Sequence, residues 1–176
     1  KPPPCASPKL AKQPPFTNPV NKPTPLQPGT KVPDFSALGQ DGKEYSNASL
    51  LGSCYLIYFY PRDLTPGCTT EVCALRDVYE DFSKHETLIL GVSPDHAKSH
   101  RKFIDKHSLP FPLLVDEDHA IAEAFGVWGE KKFMGRTFDG VHRMSFLIGK
   151  DGKIEKTYEK VKPAEHALQV LNDLQV

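Results

Sequence analysis

The sequence predicts a layered α/β protein with a central mixed sheet flanked by helices. Strand-like and helix-like segments alternate along the chain, which is typical of a sheet that helices cover. The segment 53–60 is rich in β-formers and apolar on both faces, as a strand in the middle of such a sheet must be. Two short segments around Asp151-Gly152 indicate a hairpin, which would add antiparallel strands.

The first elements are a hairpin, the buried strand and a long helix. The segments 35–38 and 44–46 flank Asp41-Gly42, a common hairpin turn. The helix is predicted over 66–84, because a proline suits its first turn and because apolar residues form one stripe at Val72, Leu75, Val78, Tyr79 and Phe82.

The remaining elements continue the alternation. We predict strands at 87–92, 111–115, 145–148 and 153–158, and helices at 95–107, 118–125 and 165–174.

Residues 1–30 are predicted to be a proline-rich, basic tail, extended or disordered, before a domain that spans 31–176. The first 33 residues hold 11 of the 17 prolines and five lysines, but no Asp or Glu. Proline removes a backbone donor and fixes φ, so this composition disfavours a packed fold. The tail is either a solvated segment or a docking segment for a proline-binding partner.

Composition narrows the classes of partner. The formal net charge is zero, which implies neither a nucleic-acid nor an anionic-membrane partner, and no run approaches the ~18 apolar residues of a membrane helix. Four cysteines are few for a disulfide-stapled secreted domain. The chain begins with Lys1, so a segment could precede it. We expect the protein to be located in the cytoplasm, with an organelle or the periplasm as alternatives.

The chemically informative stretch is 60–73, Tyr-Pro-Arg-Asp-Leu-Thr-Pro-Gly-Cys-Thr-Thr-Glu-Val-Cys. It joins the end of the predicted central strand to the start of a helix, where open α/β sheets place their sites. Cys68 would lie in the first helical turn, where unpaired amides and the helix dipole favour the thiolate. Thr65 could turn its hydroxyl toward the sulfur or its substrate, and Pro61 would stiffen the loop.

A second cysteine, Cys73, follows five residues later. In an ideal helix the two Cα atoms would be about 8–9 Å apart, beyond the ~7 Å that a disulfide spans. A bond between Cys68 and Cys73 therefore requires the helix to unwind, which indicates a switching disulfide. We interpret Cys68 as a peroxide-attacking cysteine that becomes a sulfenic acid, and Cys73 as the thiol that captures it.

The pattern Pro61-x-x-x-Thr65-x-x-Cys68 resembles the active-site motif of the peroxiredoxins. The second cysteine five residues later resembles the arrangement in the peroxiredoxin Q branch, which is also called bacterioferritin comigratory protein. The resemblance covers about residues 30–176 and includes the later segments 127–132, 140–143 and 145–148.

This resemblance implies a thioredoxin-like fold and the reduction of hydrogen peroxide or organic hydroperoxides. It also implies regeneration by thioredoxin or a similar dithiol, and a monomer. The thiol mechanism predicted above requires no metal or organic cofactor. The family's catalytic arginine corresponds to Arg143, which would hold the thiolate and polarise the peroxide.

Two other functions use the same cysteines. A redox-switched binding protein would use the same disulfide to expose a partner surface, but would not consume peroxide over many turnovers. A protein-disulfide oxidoreductase is disfavoured because Cys-x-x-Cys is absent.

The other cysteines and the histidines receive simpler interpretations. Cys54 is expected to be a small apolar residue in its strand, and Cys5 an exposed bystander in the tail. Histidines at 96, 100 and 107 resemble half a zinc site, but no further ligand follows at motif spacing. We therefore expect a solvated histidine face.

Overall fold

The centre of the computed structural model, which describes residues 22–175, is a five-stranded mixed sheet. Numbered along the chain and given in spatial order, its strands are β5 (Leu113–Val115), β4 (Thr87–Ser93), β3 (Cys54–Phe59), β8 (Met144–Ile148) and β9 (Ile154–Tyr158). The first three are parallel, while β8 and β9 are antiparallel to their neighbours. The predicted mixed sheet is confirmed, and β3 is its central strand.

The helices and two separate hairpins surround this sheet. The helices are α1 (Asn47–Leu50), α2 (Pro66–Asp77), α3 (Tyr79–Lys84), α4 (Ala97–His107), α5 (Ala120–Ala124) and α6 (His166–Leu174). The hairpins pair β1 (Ser36–Leu38) with β2 (Glu44–Ser46), and β6 (Trp128–Phe133) with β7 (Arg136–Val141). Among the described residues, no helix has both the length and the apolar character needed to cross a membrane.

Strand β3 divides the core into two layers, because successive side chains of a strand point to opposite faces. Tyr55, Ile57 and Phe59 enter the layer that α1 and α5 cover. Leu56 and Tyr58 enter the layer that α2, α3, α4 and α6 cover. All of these side chains are almost fully buried, which explains the two-sided apolar pattern of the sequence.

The helix predicted over 66–84 is two helices, which corrects the sequence prediction. Helix α2 ends at Asp77, and Val78 leaves helical geometry with φ −111° and ψ 15° before α3 begins. Valine is β-branched and loses rotamer freedom in a helix, which favours a break here. The apolar stripe continues across the break, and Phe82 is fully buried. The spacing of the apolar residues therefore did not reveal that the helix is broken.

Hairpin β6–β7 was not predicted as strands. Its turn residues, Met134 and Gly135, both have positive φ (50° and 76°), as in a type I′ turn. Residues 132–139 are all exposed, so neither face is buried there and no alternating pattern exists to read. The short helix α1 was also missed; its signal is the reciprocal capping box between Ser46 and Ser49.

The described part of the predicted tail, residues 22–30, lies against the domain. Leu26 N donates to Phe125 O at 3.1 Å, and Leu26 O accepts from Thr157 Oγ1 at 2.7 Å. Gly29 N donates to Ile154 O at 2.7 Å. Packing therefore begins before residue 31, the predicted boundary, while residues 1–21, with Cys5, lie outside the described residues.

Candidate active site

Cys68 is the third residue of α2 and lies just beyond the carboxyl end of β3. Thr65 is the N-cap, and its carbonyl accepts from Thr69 N at 2.8 Å. As in any helix, the amides before this first bond have no partner within the helix and favour negative charge beside them. The Cys68 side chain is only 2% exposed, so a thiolate there is shielded from water.

Arg143 is brought to Cys68 by the sheet. Antiparallel pairing of β3 with β8 places Met144 opposite Phe59, so the start of β8 lies beside the end of β3. Arg143 directly precedes β8, and its Nη2 donates to Cys68 Sγ at 3.1 Å. The structure thus brings together the cysteine and the arginine that the sequence predicted.

Glu71 completes this cluster and was missed from the sequence. Its Oε2 accepts from Arg143 Nη1, and its side chain is almost fully buried. Burial raises the pKa of Glu71 to about 7, although Arg143 opposes this shift. Burial also opposes the charge on Arg143, but Glu71 and Cys68 outweigh it and raise the Arg143 pKa. The sequence offered one signal for Glu71. It is an acidic residue that directly precedes Val72 of the apolar stripe and follows Cys68 by about one helical turn.

The other predicted loop residues adopt supporting positions. The hydroxyl of Thr65 donates to Arg62 O at 3.0 Å, so in this structure it is engaged with the loop backbone. Pro61 is half-buried directly after β3 and Tyr60. A Cβ on Gly67 would lie 3.2 Å from Arg143 Nη2, so the absence of a side chain leaves room for the guanidinium.

A buried polar network holds the loop between β3 and α2. Asp63 accepts from Tyr60 Oη at 2.6 Å and from Ser99 Oγ at 2.9 Å. His100 Nδ1 lies 2.6 Å from Asp63 Oδ2, and His100 Nε2 lies 2.9 Å from Leu114 O. His100 thus joins Asp63 to the backbone of β5, and both side chains are almost fully buried.

The histidines at 96, 100 and 107 do not form the solvated face expected from the sequence. His100 is fully buried in the Asp63 network, and His96 Nδ1 caps α4 by accepting from Ser99 N at 3.1 Å. His107 contacts Cys73 instead. Within residues 22–175, no three His, Cys, Asp or Glu side chains are grouped to hold a metal ion.

Cys73 lies in α2, is half-buried and, like Cys68, carries a free thiol. Because both residues belong to one regular helix, their separation follows the helical spacing that excludes a disulfide in this conformation. Cys54 is also free and half-buried, at the start of β3 and opposite Thr87 of β4.

Residues 28–157 match the AhpC/TSA family model, which is most of the chain. The chain therefore belongs to the AhpC/TSA family of peroxiredoxins. It is 48% identical over 150 residues to the putative peroxiredoxin bcp of Haemophilus influenzae, covering 85% of this chain and 97% of that protein. It is 45% identical over 152 residues to peroxiredoxin Bcp of Bacillus subtilis, covering 85% of this chain and 97% of that protein.

Solved structures agree with this assignment. A cysteine-to-serine variant of Xanthomonas campestris peroxiredoxin Q matches with a TM-score of 0.79 and 36% identity, over 85% of this chain and 98% of that one. The bacterioferritin comigratory protein of the same organism, studied for alkyl peroxide reduction, matches with a TM-score of 0.78 and 35% identity, over 88% and 98%. The predicted peroxiredoxin Q branch and thioredoxin-like fold are confirmed, and this peroxiredoxin is a thiol-dependent peroxidase.

Proposed function

We propose that this peroxiredoxin reduces hydrogen peroxide and organic hydroperoxides with Cys68 as the attacking thiolate. The observation that supports this most strongly is the contact from Arg143 Nη2 to Cys68 Sγ at a buried helix N-terminus. The guanidinium is a permanent cation 3.1 Å from the attacking sulfur, and it remains in place as charge moves to the peroxide.

In the first step, the Cys68 thiolate attacks the terminal oxygen of the peroxide. The S–O bond forms as the O–O bond breaks, and the leaving oxygen takes a proton to become water or an alcohol. Cys68 becomes a sulfenic acid. Arg143 and the Cys68 amide would stabilise the departing charge, and Thr65 would join them once its hydroxyl rotates away from Arg62 O.

In the second step, α2 unwinds locally and Cys73 attacks the sulfur of the sulfenic acid. An intramolecular disulfide forms and water leaves. Thioredoxin or a similar dithiol then reduces the disulfide, so that no metal or organic cofactor takes part. The redox-switched binding protein remains the alternative, since unwinding of the same helix would expose a new surface.

The test is consumption of hydrogen peroxide with excess dithiothreitol by the wild type, Cys68→Ser and Cys54→Ser. We expect many turnovers from the wild type and from Cys54→Ser, and none from Cys68→Ser. Consumption that stops after one equivalent in the wild type would favour the binding protein. Activity that survives Cys68→Ser would exclude the proposed nucleophile.

Cys73→Ser separates the two steps. In the absence of dithiothreitol, which would reduce a sulfenic acid, we expect it to consume the first equivalent of peroxide at the wild-type rate and then to accumulate a sulfenic acid on Cys68, detected by dimedone labelling and mass spectrometry. If Cys73→Ser blocked the first oxidation itself, the resolving role would be wrong. Repeating the assay with thioredoxin in place of dithiothreitol tests the reductant, and light scattering tests the expected monomer.

A further inference from the structure

Cys73 has a specific partner outside its own helix. Its Sγ lies 3.6 Å from Nδ1 of His107, the last residue of α4. The distance suits a hydrogen bond to sulfur, and the pairing of a thiol with an imidazole is the usual arrangement for activating a cysteine. Neither residue belongs to the Cys68–Arg143–Glu71 cluster.

The position of His107 is held from two sides. Arg76 Nη1 donates to His107 O at 2.8 Å, which ties the end of α4 to α2. Arg76 follows Cys73 by three residues on α2, so the two side chains lie on neighbouring positions of one helix face. The His107 ring also packs edge-on against Phe103, with 5.4 Å between ring centroids.

The charges around His107 favour a neutral ring. Burial lowers the pKa of His107, and the positive charges of Lys106 and Arg76 lower it further. Arg76 is itself paired with Asp77, since its Nε and Nη2 each donate to Asp77 Oδ1 at 3.1 Å. A neutral imidazole keeps one nitrogen free to accept a proton, and Nδ1 is the nitrogen that faces the thiol.

Cys73 needs such a base more than Cys68 does. Unpaired amides and the helix dipole favour a thiolate only in the first turn of a helix. Cys73 is the eighth residue of α2 and lies beyond that turn. Arg143 donates to Cys68 but makes no hydrogen bond to Cys73 in the described part of the chain. An unassisted thiol is only a few per cent thiolate at about pH 7, and the thiolate is the attacking species.

We propose that His107 accepts the thiol proton of Cys73 and thereby prepares the resolving thiolate before α2 unwinds. This deepens the proposed function and rests on it. The proton passes from Cys73 Sγ to His107 Nδ1, and the thiolate attacks the sulfur of the Cys68 sulfenic acid. The S–S bond forms as the S–O bond breaks. The hydroxide takes a proton and leaves as water, and His107 returns its proton to solvent.

The test is a single turnover with one equivalent of hydrogen peroxide, quenched at intervals. Mass spectrometry then counts the sulfenic acid and the Cys68–Cys73 disulfide. The variant is His107→Gln, and the matched control is His85→Gln, because His85 is exposed. We expect both variants to form the sulfenic acid at the wild-type rate, which shows that they are folded. Disulfide formation should be slower in His107→Gln alone, by about 10²-fold at pH 7 and less at pH 9, where solvent removes the proton.

A disulfide rate in His107→Gln equal to that of the wild type from pH 6 to pH 9 would overturn this proposal. A second measurement tests the role of His107 independently of the proposed function. It is the rate at which iodoacetamide alkylates Cys73 in the Cys68→Ser variant, compared with the rate in the Cys68→Ser/His107→Gln double variant. We expect slower alkylation without His107, and equal rates would overturn the proposal. A wild type that forms no disulfide contradicts the proposed function, and the alkylation rates still decide the role of His107.

Discussion

Arg143 Nη2 lies 3.1 Å from Cys68 Sγ, although 75 positions separate the two residues in the sequence. The contact joins the residue before β8 to the first turn of α2, across the centre of the sheet. The arginine is held by Glu71 as well, so its charge is in place before any substrate arrives. Preorganisation of this kind avoids reorganisation during the reaction.

Replacing Arg143 with glutamine should slow the oxidation of Cys68. A neutral amide favours neither the thiolate nor the departing oxygen, and loss of one such donor costs about 10²–10³-fold in rate. The rate constant for reaction with hydrogen peroxide, measured by stopped flow, checks this. Arg136→Gln is the control, since Arg136 is exposed on β7, and it should react as the wild type does. Equal rates for the two variants would contradict the role of Arg143.

Glu71 should make the stability of the fold depend on pH. Its pKa is about 7 in the fold and 4.5 in an unfolded chain, so between these values the folded state binds more protons. The free energy of unfolding should therefore fall as pH rises from 4.5 to 7, by on the order of 3 kcal/mol from this group.

Urea unfolding of the wild type and Glu71→Gln at pH 4.5 and pH 7.5 isolates this contribution. The other titratable groups contribute equally to the pH dependence of both proteins, so their contributions cancel in the comparison. The stability of Glu71→Gln should fall less over this interval than that of the wild type. Glu80→Gln is the control, because Glu80 is exposed on α3, and it should keep the wild-type dependence. A Glu71→Gln variant with the wild-type dependence would contradict this prediction.

The Asp63–His100 pair should be necessary for stability. Both side chains are almost fully buried, so removing the imidazole leaves Asp63 without one of its hydrogen-bond partners, a loss of about 1–3 kcal/mol. His100→Gln should lower the free energy of unfolding by this amount in chemical denaturation. His85→Gln is the exposed control and should change it by less than about 0.5 kcal/mol. A similar small change for His100→Gln would show that the pair does not hold the loop.

Gly91 should resist substitution because Tyr58 occupies the space beside it. A Cβ on Gly91 would lie 2.6 Å from Leu113 Cδ2 and 2.7 Å from Tyr58 Oη. Gly91→Ala should therefore destabilise the fold by about 1–3 kcal/mol, measured by thermal and urea unfolding. Tyr58 Oη is buried without a hydrogen-bond partner among the described residues, so Tyr58→Phe by itself should cost little.

The double variant Gly91→Ala/Tyr58→Phe tests whether the contact with Tyr58 causes this loss of stability. If the hydroxyl of Tyr58 is part of the clash, Tyr58→Phe should recover part of the stability that Gly91→Ala loses. Strict additivity of the two changes would contradict this explanation and assign the cost to Leu113.

Local patterns in the sequence were sufficient for the elements that carry the chemistry. The two-sided apolar run around β3 and the proline at the start of α2 together placed Cys68 at a strand–helix junction. The five-residue spacing to Cys73 excluded a disulfide in the intact helix. These inferences succeed because strand burial, helix starts and helical spacing depend on neighbouring residues.

The partners of these cysteines were decided by tertiary structure. The family resemblance identified Arg143, but only the antiparallel pairing of β8 with β3 explains its contact with Cys68. No spacing links Glu71 to Arg143, or His107 to Cys73, because each pair joins separate elements that meet only when the sheet and helices pack. Burial then sets the pKa of Glu71, and burial with neighbouring charges sets that of His107, since both depend on the surroundings of a side chain in three dimensions.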